Sequence, residues 1–439
     1  MKANYNDHNQ IMALDIGSSK VSCVVARSQI DKKIFIEGIS SIGYRSSDKN
    51  KSSDNQEMIE AIKESFFTAN AGSSAKMRSV IVGLSGTFIS STNVNLNIPR
   101  SGNIKLVTQS DIDNAVKIAK HIDLEEGKEL IHVIPQSFSL DGMQGIRNPL
   151  GMHTTELKAS CHIIAGSKNN ICNLNKSILE ADIQPTNQVV GSVATARALL
   201  TAKEREEGAI MIDIGASTTD IAVFNSGSVI HTDSIPMGGD LFTSDIATAF
   251  DIDFNEAEKI KINHGSTTPE RALTSNTINI KPLTYDESVE ITERELAQLM
   301  KERANELVRL IAYKLENNVV TNLEIEQIVL TGGCSKLDGL VQLMRFLLQK
   351  RVRCPDNQLA NGLHEENFDP SLSCVISLAM WGEYGADKNI GHVHHRKFRF
   401  FQPGFYYKKI NALKIFTSLK IKVIGKNYIP TLFKTTKLN

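Results

Sequence analysis

Two short segments of the sequence place an aspartate, a glycine and small hydroxylated residues at the same spacing. They read DIGSSK (15–20) and DIGASTT (213–219), and each follows an apolar run of the kind that forms a β-strand. In such a turn the backbone amides and hydroxyl groups can bind phosphate oxygens, and Lys20 adds a positive charge. The repeated segment therefore predicts two phosphate-binding turns, each at the end of a strand.

The aspartates and glycines of these segments have separate expected roles. Gly17 and Gly215 are expected to take positive φ and to let the backbone approach a ligand closely. Asp15 and Asp213 would suit a hydrated Mg²⁺ ion, which prefers a few carboxylates plus water. Asp213 is also the candidate catalytic residue. A third turn, TGGCS (331–335), supplies bare backbone against which an adenine ring can lie.

The specificity of the pattern comes from its repetition. A single Asp-Gly turn is common in hairpins and is weak evidence by itself. Two copies that open two α/β halves, together with the Gly-Gly turn, are much more specific. Neither copy is a Walker loop, because no G-x-x-x-x-G-K-[ST] sequence occurs and a strand follows each turn where a helix would begin.

Alternating strand and helix patterns surround the turns. Strands are predicted at 11–15, 21–26 and 34–41, and the pattern begins again at 209–215. This alternation predicts an α/β fold in both halves.

Two helices carry recognisable start signals. Thr292 and Glu295 form a capping-box pattern that predicts a long helix at about 293–317. A second helix is predicted from 111 to about 121, with Ser110 as its N-cap.

The composition is that of a soluble globular protein long enough for two or more domains. The 439 residues are 41% hydrophobic and 22% charged, and the formal net charge is zero. The six cysteines form no C-x-x-C pair and are expected to be reduced, in a cytoplasmic protein. The first ten residues lack the apolar core of a signal peptide, and no apolar run approaches the roughly 18–20 residues of a membrane span. Any membrane association is therefore expected to be peripheral.

The zero net charge hides a basic C-terminal segment. Residues 388–439 contain twelve of the 49 Lys and Arg residues and none of the 49 Asp and Glu residues. Their basic, aromatic and apolar residues suit an anionic membrane, where each basic residue contributes up to ~1 kcal/mol, but composition alone does not separate this from a nucleic-acid surface. On a helical wheel the apolar residues of this segment do not all share one face. A nucleic-acid-binding arm is the competing interpretation. A metal site at His392, His394 and His395 is disfavoured, because no carboxylate or cysteine lies nearby in the sequence.

Further motifs resemble the bacterial cell-division family FtsA, a branch of the actin-like ATPase superfamily. In chain order they are HVIPQSFSLDG (132–142), GIRNPLGM (145–152), CHIIAG (161–166), LLTAKEREEG (199–208), IPMGGDLFTSDIA (235–247) and AEKIKINHG (257–265). The resemblance implies an actin-like (ribonuclease H-like) two-domain ATPase fold with an inserted FtsA-type subdomain.

The resemblance also implies a division of the chain into domains. The implied ranges are 11–80, 166–205 and 366–387 for the first core domain (1A), 81–165 for the inserted subdomain (1C), 206–245 and 326–365 for the second core domain (2A), 246–325 for subdomain 2B, and 388–439 for a basic linker and membrane-targeting tail.

By the same resemblance, ATP and Mg²⁺ bind between the two halves. The implied first phosphate motif comprises Asp15, Gly17, Ser18, Ser19 and Lys20. The implied second phosphate motif comprises Asp213, Gly215, Thr218, Thr219 and Asp220. Positions around ribose and adenine correspond to Gly238, Gly239, Glu258 and Lys261, and the adenosine motif to Gly332, Gly333 and Ser335.

The sequence departs from the family pattern in two places. Ala216 and Ser217 stand in the second phosphate turn, where many relatives have glycine, and they are expected to narrow it. Gly191 aligns with a Gln or Glu that orients the attacking water in actin relatives. Without that group water is poorly positioned. We therefore expect ATP binding with slow turnover at most.

The implied function is to tether the FtsZ ring to the cytoplasmic face of the bacterial inner membrane at the division site. The implied partners are the FtsZ C-terminal peptide, other division proteins, further copies of the chain and an anionic membrane, with no nucleic acid expected. Arg303 matches a position that contacts the acidic FtsZ peptide, although it equally fits a solvated face with Glu302 and Glu306. An actin-fold small-molecule kinase and a pilus-type actin-like assembly protein are the alternatives.

Overall fold

A computed structural model describes most of the chain outside the basic tail. The described residues are 10–29, 33–44, 52–71, 79–100, 104–273, 275–284, 287–316, 323–355, 361, 369–384 and 391–392. The expected membrane-binding segments between 396 and 439 lie outside the described residues, as do His394 and His395.

The first half of the fold is a five-stranded sheet with an antiparallel hairpin at its centre. Its elements are β1 (Gln10–Ile16), β2 (Lys20–Ser28), β3 (Ile34–Gly43), α1 (Ser52–Asn70) and β4 (Ser79–Leu84). A later strand, β11 (Gln184–Val190), completes the order β3-β2-β1-β4-β11. Strand β1 is antiparallel to β2 and parallel to β4, because α1 carries the chain back across the sheet. The predicted strands of this half are confirmed.

An inserted domain with its own antiparallel sheet follows β4. Its elements are β5 (Ile89–Ile98), β6 (Lys105–Leu106), α2 (Gln109–Ala119), β7 (Lys128–Leu140), β8 (Met143–Ile146), β9 (His153–Thr154) and β10 (Leu157–Ser167). Strand β10 pairs with β5 on one side and β7 on the other. Strand β8 and the two-residue β19 (Gly391–His392) pair with β7 at different positions along it.

The predicted N-cap of α2 was wrong. The helix begins after Thr108 rather than Ser110. The Asp111 carboxylate accepts hydrogen bonds from the Thr108 amide and hydroxyl, each at 2.8 Å. Asp111, three residues after Thr108, thereby satisfies the amide that precedes the helix, which is the acidic half of a capping box and which a serine one residue before Asp111 cannot arrange.

The chain then returns to the first half and begins the second. The remaining elements are α3 (Lys168–Glu180), α4 (Gly191–Leu199), α5 (Ala202–Glu207), β12 (Ala209–Ile214), β13 (Thr219–Asn225), β14 (Ser228–Ile235), α6 (Gly239–Ala249), α7 (Phe254–His264), β15 (Thr277–Ile280), β16 (Val289–Thr292), α8 (Glu293–Glu316), β17 (Gln327–Thr331), α9 (Leu340–Leu348), β18 (Arg351–Arg353) and α10 (Ser373–Tyr384).

The second half repeats the topology of the first. Its sheet has the order β14-β13-β12-β17-β18, with β12 antiparallel to β13 and parallel to β17. The strand order and directions match those of β3-β2-β1-β4-β11. The repeated sequence segment therefore occupies the same place, the central hairpin, in two sheets of one topology.

A shared apolar cluster holds the halves together. The apolar faces of α4 and α10 belong to one buried cluster that also includes residues of both sheets, such as Ala13 and Met211.

The capping box of α8 is confirmed, because the Thr292 amide donates to Glu295 Oε2 at 2.8 Å and the Glu295 amide donates to Thr292 Oγ1 at 3.2 Å. None of the helices in the described ranges is both long enough and apolar enough to cross a membrane.

Candidate functional site

The two repeated turns have the same local geometry. In the β1–β2 turn the Gly17 amide donates to the Lys20 carbonyl oxygen at 3.0 Å, and in the β12–β13 turn the Gly215 amide donates to that of Thr218 at 2.9 Å. A Cβ added to either glycine would lie 3.3 Å from the same carbonyl oxygen. Glycine therefore suits both turns, because a Cβ would make a tighter contact than is usual.

The expected positive φ of Gly17 and Gly215 was wrong. Neither is among the residues with positive φ, whereas Gly332 in the third turn has φ 89°. The two hairpin turns close by the approach of the glycine to a carbonyl oxygen, which requires the absence of a side chain but not a left-handed backbone.

The third turn lies directly against the end of β12. Thr331 at the end of β17 is in register with Asp213. A Cβ on Gly332 would overlap the Asp213 carboxylate and would lie 2.7 Å from the Ile214 carbonyl carbon. Ser335 Oγ donates to the Gly332 carbonyl oxygen at 2.7 Å and closes the turn. The second and third predicted turns are thus brought into contact.

The N-terminus of α6 holds the second turn. The amides of Gly239 and Asp240 donate to the carbonyl oxygens of Gly215 and Ala216 at 2.9 and 2.7 Å. Ser217 Oγ donates to Asp240 Oδ2 at 2.7 Å. The two residues that depart from the family pattern therefore fasten the turn to this helix.

Gly238 and the threonines that follow the second turn make close contacts with the backbone around it. A Cβ on Gly238 would lie 2.5 Å from the Ala216 carbonyl oxygen. Thr219 Oγ1 is buried and donates to the Met237 carbonyl oxygen at 2.8 Å, and Thr218 Oγ1 donates to Asp220 Oδ2 at 3.3 Å. The Thr219 hydroxyl supports the turn from inside the protein, whereas Ser18 and Ser19 of the first turn are exposed.

The residues predicted around ribose and adenine form one group. Lys261 Nζ donates to the Gly239 carbonyl oxygen at 3.0 Å and lies 2.7 Å from Glu258 Oε2. Thr243, one turn along α6 from Gly239, donates to Glu258 and accepts from Lys261 Nζ at 2.8 Å. Sequence reasoning missed Thr243, although its spacing of four residues from Gly239 on a helix was a signal for it.

Three recessed aspartates and one lysine lie between the turns. Burial raises the pKa of Asp213 to about 8, and the nearby charges of Asp220 and Asp15 add to this effect. Burial also raises the pKa of Asp15, against a hydrogen bond to Cys374 and the charge of Lys20. The pKa of Asp220 is raised by burial to about 6, although its carboxylate accepts from the Gly86 amide at 3.2 Å. The site therefore brings three buried carboxyl groups together beside Lys20.

Lys20 is held in place from the far end of the chain. Its Nζ donates to Ser371 Oγ at 2.6 Å. Burial lowers the pKa of Lys20, while the charges of Asp15 and Asp369 oppose this shift. No sequence pattern pointed to Ser371 or to Cys374, because both are isolated residues more than 350 positions from the first turn.

The donor set fits a hydrated divalent cation. Burial is the main cause of the raised pKa of Asp213, and a cation between Asp15 and Asp213 would relieve the repulsion that adds to it. Within the described ranges, no group of three or more His, Cys, Asp or Glu side chains is arranged to hold a metal directly. Carboxylates of this kind suit Mg²⁺, which keeps much of its hydration shell.

Gly191, at the position expected to lack a water-orienting side chain, is tightly enclosed. It is the first residue of α4, and a Cβ there would lie 2.5 Å from Ser85 Oγ and 2.9 Å from Cys374 Sγ. A glutamine or glutamate does not fit at this position without displacing both neighbours.

Arg303 lies on α8 and faces α6. Its Nε and Nη2 donate to the two carboxylate oxygens of Asp245 at 2.5 and 2.7 Å, and its Nη1 donates to Glu306. Glu302 accepts from Gln298 instead. The solvated-face interpretation therefore accounts for Glu306 but not for the paired bonds to Asp245.

Comparison with known proteins identifies the family. The family model "Cell division protein FtsA" matches residues 210–377, and the model "SHS2 domain inserted in FTSA" matches residues 86–165. The cell division protein FtsA of Borreliella burgdorferi is 30% identical over 374 residues, covering 85% of this chain and 91% of that protein. The chain belongs to the FtsA family. FtsA of Escherichia coli K12 is 28% identical over 384 residues, covering 86% of this chain and 91% of that protein.

Solved structures support the fold. The PilM–PilN type IV pilus biogenesis complex aligns with a TM-score of 0.62 at 18% identity, covering 85% of this chain and 98% of that one. MreB5 of Spiroplasma citri bound to ADP aligns with a TM-score of 0.50 at 15% identity, covering 88% of this chain and 99% of that one. The predicted actin-like α/β fold is confirmed. A model for the type IV pilus assembly protein PilM matches residues 138–274, but the FtsA matches are better supported for function.

Proposed function

We propose that the protein is an ATP-binding, actin-like cell-division protein that attaches FtsZ filaments to the cytoplasmic face of the bacterial inner membrane. Membership of the FtsA family supports the role in cell division. The observation that carries nucleotide binding is the meeting of three turns around Asp15, Asp213 and Lys20. The domain boundaries implied by the family resemblance belong to the same proposal.

The residues of the site have separate proposed roles toward ATP. The exposed amides and hydroxyls of Ser18 and Ser19, with Lys20, bind phosphate oxygens from one side. The second turn, held rigid by α6, binds them from the other side. The bare backbone at Gly332 and Gly333 and the Lys261 group accept the nucleoside. Asp15 and Asp213 would hold a hydrated Mg²⁺, which would supply neutralising charge for the phosphates.

Slow turnover follows from the surroundings of Gly191. Without a side chain there, no group at this position orients the attacking water. We propose that ATP acts mainly as a ligand that couples the two halves, which also suits a subunit that associates with further copies and with other division proteins. A small-molecule kinase would instead need a catalytic carboxylate facing a polar substrate cleft.

Membrane attachment is proposed for the basic tail. Deleting residues 396–439 removes eleven Lys and Arg residues. Because each such residue near an anionic leaflet contributes up to ~1 kcal/mol, we expect the deletion to reduce co-sedimentation with anionic liposomes at least about tenfold. Neutral liposomes should bind the full chain far less. Binding that survives the deletion, or that shows no preference for anionic lipid, would contradict the anchor.

The proposed FtsZ contact is tested by a charge change on α8. Replacing Arg303 with Gln should weaken binding of an acidic FtsZ C-terminal peptide about ten- to hundredfold, measured by fluorescence anisotropy, because a charge-assisted hydrogen bond is lost. Arg309→Gln is the matched control, since Arg309 is exposed on the same helix and loses the same charge.

Asp245 sharpens this test. Its carboxylate accepts hydrogen bonds from Nε and Nη2 of Arg303. A peptide carboxylate would therefore compete with Asp245 for these two donors. Asp245→Asn should therefore strengthen peptide binding while Arg303→Gln weakens it. Equal effects of Arg303→Gln and Arg309→Gln would assign the loss to general charge rather than to a contact between Arg303 and the peptide.

A further inference from the structure

Tyr44, the residue that follows β3, contacts the β1–β2 turn, the first of the two proposed phosphate turns, at two points. Its backbone amide donates to the Ser19 carbonyl oxygen at 3.0 Å, and its hydroxyl group donates to the Gly17 carbonyl oxygen. Gly43 at the end of β3 is in register with Lys20, the first residue of β2, so the pairing of these strands brings Tyr44 to the turn. The turn is therefore held from outside its own hairpin.

We propose that Tyr44 is a positioning residue of the nucleotide site, which orients the amides of the first phosphate turn through its hydroxyl group. This inference rests on the proposed binding of ATP at that turn. In this role Tyr44 does not bind the phosphates itself but acts through the backbone that binds them.

The hydrogen bond inside the hairpin does not involve the peptide units at the tip of the turn. The Gly17 amide donates to the Lys20 carbonyl oxygen at 3.0 Å. These two groups belong to the peptide units before Gly17 and after Lys20. Three peptide units lie between them, at the tip. Tyr44 holds the first of the three through its hydroxyl group and the third through its amide.

The two contacts set the direction of the opposite amides. In a planar trans peptide the carbonyl oxygen and the N–H point in opposite directions, and the described residues contain no cis peptide bond. The bond to the Gly17 carbonyl oxygen therefore turns the Ser18 amide away from Tyr44. The bond to the Ser19 carbonyl oxygen does the same for the Lys20 amide. The hydroxyl group of Tyr44 thus fixes the Ser18 amide, one of the groups proposed to bind phosphate.

The phenol ring is itself held in place. It packs against an apolar cluster of the first half that includes Leu14 and Val21. Burial raises the pKa of Tyr44 to about 12, with a smaller contribution from the charge of Asp15, so the hydroxyl group keeps its proton and can donate it. Because the ring is already packed, little conformational entropy is lost when the hydrogen bond to the turn forms.

Replacing Tyr44 with Phe removes the hydroxyl group and keeps the ring. Without nucleotide, we expect the backbone amides of residues 15–20 to exchange with deuterium at least about threefold faster, because the peptide unit that joins Gly17 and Ser18 is released. Hydrogen–deuterium exchange mass spectrometry measures the rate. Tyr313→Phe is the matched control, since Tyr313 lies on α8, is 62% exposed and loses the same hydroxyl group.

The affinity for nucleotide shows whether the orientation of the turn serves the phosphates. Tyr44→Phe should weaken Mg²⁺–ATP about three- to tenfold, the usual effect of one neutral hydrogen bond, and should change the affinity for adenosine by less than about twofold. Displacement of a fluorescent ATP analogue measures both affinities. A general disturbance of the site would weaken both ligands alike, because adenosine has the same nucleoside but no phosphates.

Unchanged exchange at residues 15–20, unchanged affinity for ATP, or equal losses for ATP and adenosine would overturn the role of Tyr44. So would effects of the same size in Tyr313→Phe. If the unmodified protein does not bind Mg²⁺–ATP, the proposed function fails, and the exchange rates still show whether the hydroxyl group holds the turn. Urea denaturation of each variant confirms that the folds compared are the same.

Discussion

Replacing Asp213 with Asn should weaken Mg²⁺–ATP binding about ten- to hundredfold, the usual effect of losing a group that orients a bound metal's waters. Asp213 lies between the two phosphate turns, at the point where β12 ends beside Gly332. Titration with a fluorescent ATP analogue in the presence of Mg²⁺ measures the change. Asp113→Asn on α2, an exposed carboxylate of the inserted domain, is the control for the chemical substitution.

The pH dependence of binding tests the same group in the unmodified protein. Burial and two neighbouring carboxylates raise the pKa of Asp213 to about 8, so that below this pH it holds a proton that the cation must displace. The affinity for Mg²⁺–ATP should therefore rise as the pH increases from 6 to about 8 and level off above it, by up to about tenfold per pH unit. Asp213→Asn should remove most of this slope, and a slope that persists unchanged would assign the proton elsewhere.

The same substitution should act on stability in the opposite direction. A carboxyl whose pKa is raised on folding contributes stability that is present below its unfolded value of 3.8 and is lost as the pH rises through about 8. Without Mg²⁺ and nucleotide, Asp213→Asn should thus raise the free energy of unfolding at pH 8, by about 1–4 kcal/mol, and by less at pH 5. Urea denaturation at both values measures it. A loss of stability at both would contradict the repulsive cluster.

Replacing Gly332 with Ala should have the largest effect on the fold of the site. The residue has φ 89°, and a Cβ there would overlap the Asp213 carboxylate and the Ile214 carbonyl group. Strained backbone and a backbone clash together should cost about 2–4 kcal/mol of unfolding free energy. The shift needed to relieve the clash also moves Asp213, so Mg²⁺–ATP should lose its stabilising effect on the variant.

The neighbouring glycine provides the control. Gly333 lacks the positive φ, and the nearest atom to an added Cβ is Ser371 Cβ at 3.7 Å, an ordinary van der Waals distance. Gly333→Ala should therefore change the free energy of unfolding by less than about 1 kcal/mol. Urea denaturation of both variants, with and without Mg²⁺–ATP, compares them. Similar losses at the two positions would show that the close approach at Gly332 is not what requires glycine there.

The sequence by itself determined the elements whose causes are local. The hairpins around Gly17 and Gly215 follow from apolar strands interrupted by an Asp-Ile-Gly turn, and the start of α8 follows from Thr292 and Glu295. Each depends on residues within a few positions of one another, so the pattern that predicts the element also contains the atoms that stabilise it. The repetition of the hairpin motif likewise predicted two α/β halves, and the structure shows that their sheets share one topology.

Only the tertiary structure decided the contacts between distant parts of the chain. In the fold, Ser371 hydrogen-bonds to Lys20, Cys374 to Asp15 and Asp245 to Arg303. Positive φ occurs at Gly332 rather than at Gly17 and Gly215. These pairs depend on how α10, α6 and β17 pack, which no local pattern records. The pKa of Asp213 has the same origin, because the charges that raise it lie on strands brought together by that packing.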